Sequence, residues 1–365
     1  MTRKNLFIII IIFCTLLIIS FFVVKKDNST WARGHFANKT PVLKKLNVNR
    51  VKKFRIVNKD GKMEIFAGKD NNWTVFNKFN YPADFEKIRK FMLKIKNMNI
   101  AQKVLINKDK LSELKLINPE TADSGKNAEN SGTTLDLYDA SGNLIHSILF
   151  GKFHYAGQSD EKAAIQQPAK DGRFLLVDSN DVPLLISSPF LDVTPEPALW
   201  LDKSFIDLSC IKSASRLDNK GKILWKISRK GKKSPFAIEG LKKGEMPLPR
   251  KMFQITSAFR KFEFNDVWKK DTPDKITGLD KPGIFIYETC DGAEYKIELA
   301  LKKKIAYLKI SILKPSENKN LKAVKPDEFY TNWIYEIPRY TAKNLLIDYE
   351  DLVRRQQAPV SIMGQ

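Results

Sequence analysis

The stretch Val48–Lys62 reads VNRVKKFRIVNKDGK, with apolar residues alternating ahead of an Asn-Lys-Asp-Gly turn. Alternation of this kind, closed by Asp-Gly, is typical of a β-hairpin. Leu208–Lys222 aligns with it without gaps, so that Asp218-Asn-Lys-Gly-Lys stands where Asn58-Lys-Asp-Gly-Lys does. The sequence therefore predicts that one structural unit occurs twice in this chain.

Further landmarks follow each copy of this stretch in the same order. They comprise a short strand, a helix after a proline, a Leu-x-x-Pro segment and a long apolar strand. The pairs are Trp73-Thr-Val with Phe236-Ala-Ile, the helices after Pro82 and Pro249, Leu116–Pro119 with Leu279–Pro282, and Leu135–Tyr138 with Ile284–Tyr287. We expect two similar units, 46–205 and 206–356, with a tail at 357–365.

Helical periodicity is present as well as alternation. Phe85, Ile88, Phe91, Met92 and Ile95 share one helical face, and Asp84 is placed to cap that helix. A short helix is predicted over Asp181–Ser188 and a terminal one over Thr341–Gln356. The predicted fold class is therefore α+β: an N-terminal transmembrane helix, then two β-rich units of antiparallel strands with packed helices.

An uncharged apolar run, Leu6–Val24, precedes these units. It has about the 20 residues that a transmembrane helix requires, and no small-x-small cleavage site follows it. We predict an uncleaved signal anchor over 1–25 and a polar stalk over 26–45; a buried core helix is the alternative. Arg3 and Lys4 outweigh the charge after the run, which predicts that the bulk of the chain lies outside the cytoplasm.

The chain is strongly basic, with 63 Lys and Arg against 41 Asp and Glu, a net charge of +22. Such an excess favours anionic partners, whereas a solvated basic surface without a partner is the alternative. Nucleic acid is not an expected partner. Bases stack on exposed aromatic rings, whereas the aromatic residues here occupy strand positions that are predicted to be buried. The candidate contacts to an anionic surface, close to the predicted anchor, are Lys44, Lys45, Arg50, Lys52 and Lys53.

Signatures of common enzymes are missing from the sequence. It contains no Gly-rich phosphate loop, no His-Glu-x-x-His, no Cys-x-x-Cys and no Gly-x-Ser-x-Gly, and its three histidines lack ligand spacing. The prediction is a protein without catalytic residues, cofactor or metal. Gly151–Gly157 supplies a weak loop site through Lys152, His154 and Tyr155; the alternative is a β-turn after a strand that ends at Phe150.

Two cysteines, Cys210 and Cys290, follow the predicted anchor. They could form one disulfide, but two cysteines in so long a chain do not make a disulfide scaffold. The favoured interpretation treats both as small core residues.

The motifs also resemble a known family. They comprise the anchor, the Asp-Gly hairpin with Trp73-x-Val, Pro82-Ala-Asp84, Leu111–Pro119, Ile148-Leu-Phe-Gly-Lys152, Leu175-Leu-Val-Asp178 and Leu201-Asp-Lys203. This series, over about Leu46–Phe205, resembles the bacterial family of domain of unknown function 4340. The resemblance implies a membrane-anchored partner of an ABC-type export or gliding system, and no catalytic residues.

Three functional hypotheses follow for this chain. The first is an extracytoplasmic accessory protein of the bacterial cytoplasmic membrane, bound to integral-membrane proteins. The second is a module that binds anionic glycan or lipid headgroups, and the third is an enzyme whose site is assembled from dispersed residues.

Overall fold

The computed structural model describes residues 40–68, 72–122, 126–155, 169–178, 180–206, 208, 210–315 and 327–355. Over these residues the chain is mostly β-strand in three antiparallel sheets, so the predicted α+β class is wrong. The longest described helix has 12 residues, and no helix in these ranges is long and apolar enough to cross a membrane. The predicted anchor 1–25 and tail 357–365 lie outside the described residues.

The strands divide between a first and a second half of the described chain. Those of the first half are β1 Lys53–Asn58, β2 Gly61–Ala67, β3 Trp73–Val75, β4 Tyr81–Pro82, β5 Ile100–Lys103, β6 Thr133–Tyr138, β7 Leu144–Tyr155, β8 Lys170–Val177 and β9 Leu184–Ile186. Those of the second half are β10 Ile211–Leu217, β11 Ile223–Ser228, β12 Ala237–Ile238, β13 Glu245–Pro247, β14 Asp266–Lys269, β15 Gly283–Thr289, β16 Glu294–Lys302, β17 Ile305–Lys314, β18 Trp333–Ile337 and β19 Val353–Arg355.

Short helices connect the strands. The α-helices are α1 Phe85–Lys96, α2 Lys126–Glu129, α3 Pro249–Thr256, α4 Asp274–Thr277, α5 Asp327–Tyr330 and α6 Arg339–Leu345. Short 3-10 helices lie at Val48–Arg50, Phe76–Lys78, Lys108–Leu114, Pro197–Trp200 and Tyr349–Leu352.

The two large sheets have the same strand order. The first runs β4-β3-β2-β1-β6-β7-β8-β9-β5 and the second runs β12-β11-β10-β15-β16-β17-β18-β14. Apart from β4 at one edge, each position of the first sheet has its counterpart in the second, taken in chain order. One sequence of strand connections therefore occurs twice along the chain.

The hairpin turns explain why these strands pair. Asn58 Oδ1 accepts hydrogen bonds from the backbone N–H groups of Asp60 (2.8 Å) and Gly61 (3.1 Å), which confirms the turn predicted there. Asp218 Oδ1 accepts in the same way from Lys220 and Lys222. Side-chain acceptance from the backbone two residues on closes the turn locally and sets the register of the strands that follow.

Two predicted helices are confirmed: α1, predicted from periodicity, and the helix that starts at Pro249, predicted from the repeat. Asp84 Oδ1 accepts from the backbone N–H of Lys87 at 3.0 Å and so caps α1. Ile88, Phe91, Met92 and Ile95 are buried, and the ring of Phe91 lies 5.7 Å from that of Phe54. Phe85, the first residue of the helix, is instead 52% exposed. The predicted apolar face is therefore core from Ile88 onward.

Two other predicted helices are wrong. Within Asp181–Ser188, β9 pairs with β8 and β5, and Pro183 directly before it disfavours a helix. In Thr341–Gln356 the helix ends at Leu345, and the segment then passes through a 3-10 turn into β19, which pairs with β13. In both segments a neighbouring strand offers backbone partners, and this outweighs local helical spacing.

The chain divides into two compact units, one formed by Met1–Lys62 with Lys90–Pro195 and the other by Met63–Arg89 with Glu196–Gln365. Each has its own buried apolar core. In the first unit the core includes Phe54, Ile95, Leu135, Phe150 and Leu175, and in the second it includes Trp225, Phe259, Phe285, Ile297 and Tyr335. The domain bounds drawn from sequence at 205 and 206 stay a prediction.

Candidate functional site

The five cations proposed to meet an anionic surface fall into two sets. Lys44 and Lys45 are exposed. Arg50, Lys52 and Lys53 instead lie along the end of β6: Arg50 Nη2 is 3.9 Å from Asp139 Oδ2, the Lys52 N–H donates to the Tyr138 carbonyl, and Lys53 Nζ is 5.3 Å from the Tyr138 ring centre. Lys53 therefore packs its side chain on the fold, whereas Lys44, Lys45 and Arg50 are exposed to solvent.

The weak loop site lies on a strand. Strand β7 continues past Phe150 to Tyr155, so Lys152, His154 and Tyr155 belong to it, and a β-turn after Phe150 is wrong. Lys152 is exposed, and the half-buried His154 places Nδ1 2.7 Å from Asp171 Oδ1 on β8. Tyr155 is paired with Lys170 in register. The strand pairing accounts for these side chains as cross-strand contacts.

A buried arginine that sequence reasoning missed explains the Gly151-Lys152 motif. Arg173 on β8 is 5% exposed, and it donates from Nε to the Gly151 carbonyl (3.0 Å) and from Nη1 to the Phe190 carbonyl (3.1 Å). Its guanidinium also lies 4.6 Å from the Phe153 ring centre. Burial lowers the pKa of Arg173 to about 10, so the group stays charged at neutral pH and holds β7 and β8 together.

The two cysteines form a disulfide, so the interpretation that treats them as core residues is wrong. Cys210 and Cys290 have Cα atoms 5.5 Å apart, and both are half-exposed. They flank the β10–β15 pair, where the Cys290 N–H donates to the Cys210 carbonyl at 2.8 Å. The Arg229 guanidinium lies against both sulfurs, with Nη2 3.4 Å from Cys210 Sγ and 3.3 Å from Cys290 Sγ.

A cleft of about 570 Å³ opens in the second unit beside α3, the segment 257–265 and α6. Arg260 and Lys261 are exposed along it, and Tyr340 presents a ring that is 69% exposed. Asn344 and Gln254 add amide groups, and Gln254 Oε1 is buried without a hydrogen-bond partner among the described residues. The cleft thus combines two cations, the exposed carboxylate of Glu263, amides and an exposed aromatic ring.

The side chain of Lys203 contacts the wall of this cleft. Lys203 Nζ donates to the Asn265 carbonyl and lies 4.8 Å from the ring centre of Phe264. Both Phe264 and Asn265 line the cleft. Burial lowers the pKa of Lys203 to about 8, although Asp266 and Glu263 act in the opposite direction. The neighbouring Asp266 is ion-paired with Lys78.

Sequence reasoning missed the cleft because its residues come from two segments far apart in the chain. The only local signal is Arg260-Lys-Phe-Glu-Phe-Asn265, in which buried Phe262 and Phe264 alternate with exposed polar residues. That pattern reads as an ordinary strand. Among the described residues no group of three or more His, Cys, Asp or Glu is placed to hold a metal ion.

Comparison with protein-family models, curated proteins and solved structures finds no match to this chain. The resemblance to the domain of unknown function 4340 family therefore stays a prediction that rests on the motifs quoted for it.

Proposed function

We propose that this chain is an extracytoplasmic accessory protein of a bacterial membrane, anchored by residues 6–24 and assembled with integral-membrane proteins of a transport or envelope complex. The Cys210–Cys290 disulfide carries the proposal. Disulfides persist in oxidising compartments and are rare in the cytosol, where thiol systems keep cysteines reduced. An uncharged apolar run followed by a disulfide-bonded β-rich region fits a protein that is tethered at the membrane and folded outside it.

A test in cells separates this location from a cytoplasmic one. Cells expressing the full chain are quenched with acid, and free thiols are alkylated with a maleimide that adds mass. We expect Cys210 and Cys290 to resist labelling until the sample is reduced, and the chain to stay in membranes after carbonate washing. Labelling of both cysteines in quenched cells, together with release of the chain by carbonate washing, would contradict the proposal.

A matched pair of variants tests the anchor itself. Ile10→Lys with Leu16→Lys places two charges in the apolar run, each costing roughly 2.5–3.5 kcal/mol at a membrane centre. We expect these changes to release the chain from carbonate-washed membranes. Lys25→Gln with Lys26→Gln, directly after the run, should leave it retained.

The assembly part of the proposal needs a separate experiment. The chain is cross-linked in membranes, solubilised in mild detergent and purified through a tag, and the co-purifying proteins are identified. Integral-membrane proteins should be enriched over a control purification of the variant that carries Ile10→Lys and Leu16→Lys. Recovery of the chain alone in both samples contradicts the proposal.

The cleft favours a second candidate function, the binding of an acidic saccharide. Arg260 and Lys261 supply cations for a carboxylate, and Asn344 and Gln254 supply amides for hydroxyl groups. An exposed ring such as Tyr340 offers the flat apolar face on which a sugar ring packs. Such a ligand would also suit the net charge of +22.

Binding of polygalacturonate to the full chain in detergent tests this candidate. Arg260→Gln with Lys261→Gln should weaken binding at least tenfold, because charge-assisted hydrogen bonds contribute about 1.5–3 kcal/mol each. Lys303→Gln with Lys304→Gln removes the same charge from an exposed turn outside the cleft and serves as control. Equal losses in both variants, or binding to anionic vesicles only, would contradict a saccharide site.

A further inference from the structure

The contact between Arg229 and the disulfide is the strongest chemical feature that the proposed function does not use. One guanidinium nitrogen, Nη2, lies within hydrogen-bonding distance of both sulfurs, 3.4 Å from Cys210 Sγ and 3.3 Å from Cys290 Sγ. A neutral disulfide gains little from a nearby cation. A thiolate gains much more, because a positive charge beside a sulfur lowers the pKa of the thiol.

The fold holds Arg229 in place against the sulfurs. Nη1 donates to the Lys232 carbonyl at 2.5 Å, and the guanidinium carbon lies 4.8 Å from the ring centre of Phe236. No carboxylate among the described residues is within ion-pair distance of Arg229. Its positive charge is therefore not neutralised by a fixed acid and is available to the sulfurs.

The disulfide can open without opening the sheet. Strands β10 and β15 are paired from Ile211 and Thr289 to Leu217 and Ile284, and the Cys290 N–H bonds the Cys210 carbonyl. These backbone bonds hold the two cysteines close whether or not the sulfurs are joined. Neither cysteine is fully buried, and the neighbouring Lys230 and Lys232 are exposed, so the bond lies near the surface.

We propose that Cys210–Cys290 is a thiol–disulfide exchange site, at which an external thiolate opens the bond and Arg229 stabilises the departing sulfur. The incoming thiolate attacks one of the two sulfurs and forms a new S–S bond to it. The original bond breaks, and its electron pair leaves on the other sulfur as a thiolate beside Nη2. A second thiolate then attacks the mixed disulfide, which leaves a dithiol in the protein and the two reductant thiols joined as a disulfide.

The geometry makes the effect of Arg229 independent of which sulfur is attacked. Because Nη2 contacts both sulfurs at nearly equal distance, either cysteine leaves next to the same charge. A lower leaving-group pKa speeds exchange, and stabilising the reduced form makes the disulfide a stronger oxidant. Arg229 therefore stabilises the departing thiolate by direct contact, whichever sulfur leaves.

Equilibration of the full chain in detergent with glutathione redox buffers tests the proposal. All proteins carry Cys14→Ser, so the pair contains the only thiols, and the reduced fraction is measured by acid quench and a maleimide gel shift. Arg229→Gln should lower the equilibrium constant for reduction, and the rate of opening, by about tenfold. Lys230→Gln, which removes the same charge one residue away, should change both by less than twofold.

Reduced thioredoxin in a parallel reaction identifies the source of the thiolate. Opening by glutathione points to a small thiol, and opening by thioredoxin alone points to a protein thiol; either result supports exchange. No opening by either reagent within hours overturns the proposal, as does an Arg229→Gln protein that exchanges like its parent.

A second measurement guards against misfolding of the variant. After full reduction of the Cys14→Ser protein, alkylation by iodoacetamide is followed against pH. Thiolate stabilisation predicts that the faster-reacting cysteine titrates at least one pH unit below the ordinary thiol value of about 8.5. Titration at the ordinary value would show that Arg229 does not stabilise the thiolate.

Discussion

Close packing around Gly151 leaves no room for a side chain. A Cβ built on it would meet the Leu114 carbonyl oxygen and would lie 2.8 Å from Leu116 Cδ2, while its own carbonyl accepts from buried Arg173. The Gly-Lys element of the motif series is therefore a packing requirement of β7. Lys152 beside it is exposed to solvent, and its role as an anion contact stays a prediction.

Two glycine substitutions test this account. Gly151→Ala should lower the free energy of unfolding by about 1–3 kcal/mol, because neighbouring backbone must move to admit the new methyl group. Gly61→Ala is the matched control, since nothing lies within 4 Å of its added Cβ. Urea denaturation measures both, and equal effects would show that the contact at Gly151 is unimportant.

Lys203 gives a pH-dependent prediction at the same scale. Its pKa is about 8 in the folded chain, below the ordinary lysine value of 10.5, because it is buried. Between these values the unfolded chain binds more protons, so this residue makes stability rise with pH from about 8 to 10.5. Stability measured against pH should therefore rise less in Lys203→Met than in the unmodified chain across that window. Parallel curves for the two proteins would contradict the shifted pKa.

At the scale of elements, pairing with a neighbouring strand determined whether a segment formed a helix or a strand. Leu345, Tyr349 and Leu352 have helical spacing, yet α6 stops at Leu345 and a capping box then starts a separate 3-10 turn. In that box the Asp348 side chain accepts from the Asp351 backbone, and the Asp348 N–H donates to Asp351 Oδ2 at 3.0 Å. The turn directs β19 toward β13, a pairing that a continuous helix would exclude.

Asp348 is the residue to change in this element. Asp348→Ala removes the cap and should lower the free energy of unfolding by about 1 kcal/mol. Asp348→Asn keeps a capping oxygen but loses the exposed ion pair with Arg216, and should cost less than Asp348→Ala because exposed pairs contribute at most about 1 kcal/mol. Thermal denaturation ranks the two variants, and a larger loss for asparagine would point to the ion pair instead.

At the scale of the whole molecule, the disulfide closes a loop across a sequence separation of 80 residues. A cross-link of that span restricts the unfolded chain and, in the chain-entropy treatment, stabilises the fold by about 4 kcal/mol. Cys210→Ser with Cys290→Ser should approach this loss in urea denaturation. Cys14→Ser alone is the control for thiol removal, and an unchanged midpoint in the double variant would contradict the expected stabilisation.

The basic surface of the whole chain makes a prediction about membranes. Lys44 and Lys45 are exposed, and each cation near an anionic leaflet contributes about 1 kcal/mol. For the test, the full chain is reconstituted into neutral vesicles without detergent, and vesicles that contain phosphatidylserine are added. Changing both lysines to glutamine should weaken binding between the chain and the added vesicles by roughly tenfold or more. Lys303→Gln with Lys304→Gln is the control, and equal weakening would indicate a diffuse charge effect.

Local chemistry was sufficient to predict part of the fold. Some features depend only on neighbours within a few residues, and these are present. They are the turns at Asn58 and Asp218, the Asp84 cap and the apolar face of α1. By contrast, the class of the fold was misjudged, because short strands such as β9 and β19 form only when a distant strand supplies backbone partners.

The candidate sites depend even more on tertiary contacts. The sequence by itself determined the hairpin turns, the capped helix and the basic excess, since these follow from adjacent residues and composition. Only the tertiary structure decided that Cys210 meets Cys290 beside Arg229, and that Arg260 shares a cleft with Tyr340. The physical reason is that strand pairing joins segments far apart in the chain, and no local pattern records which segments will pair.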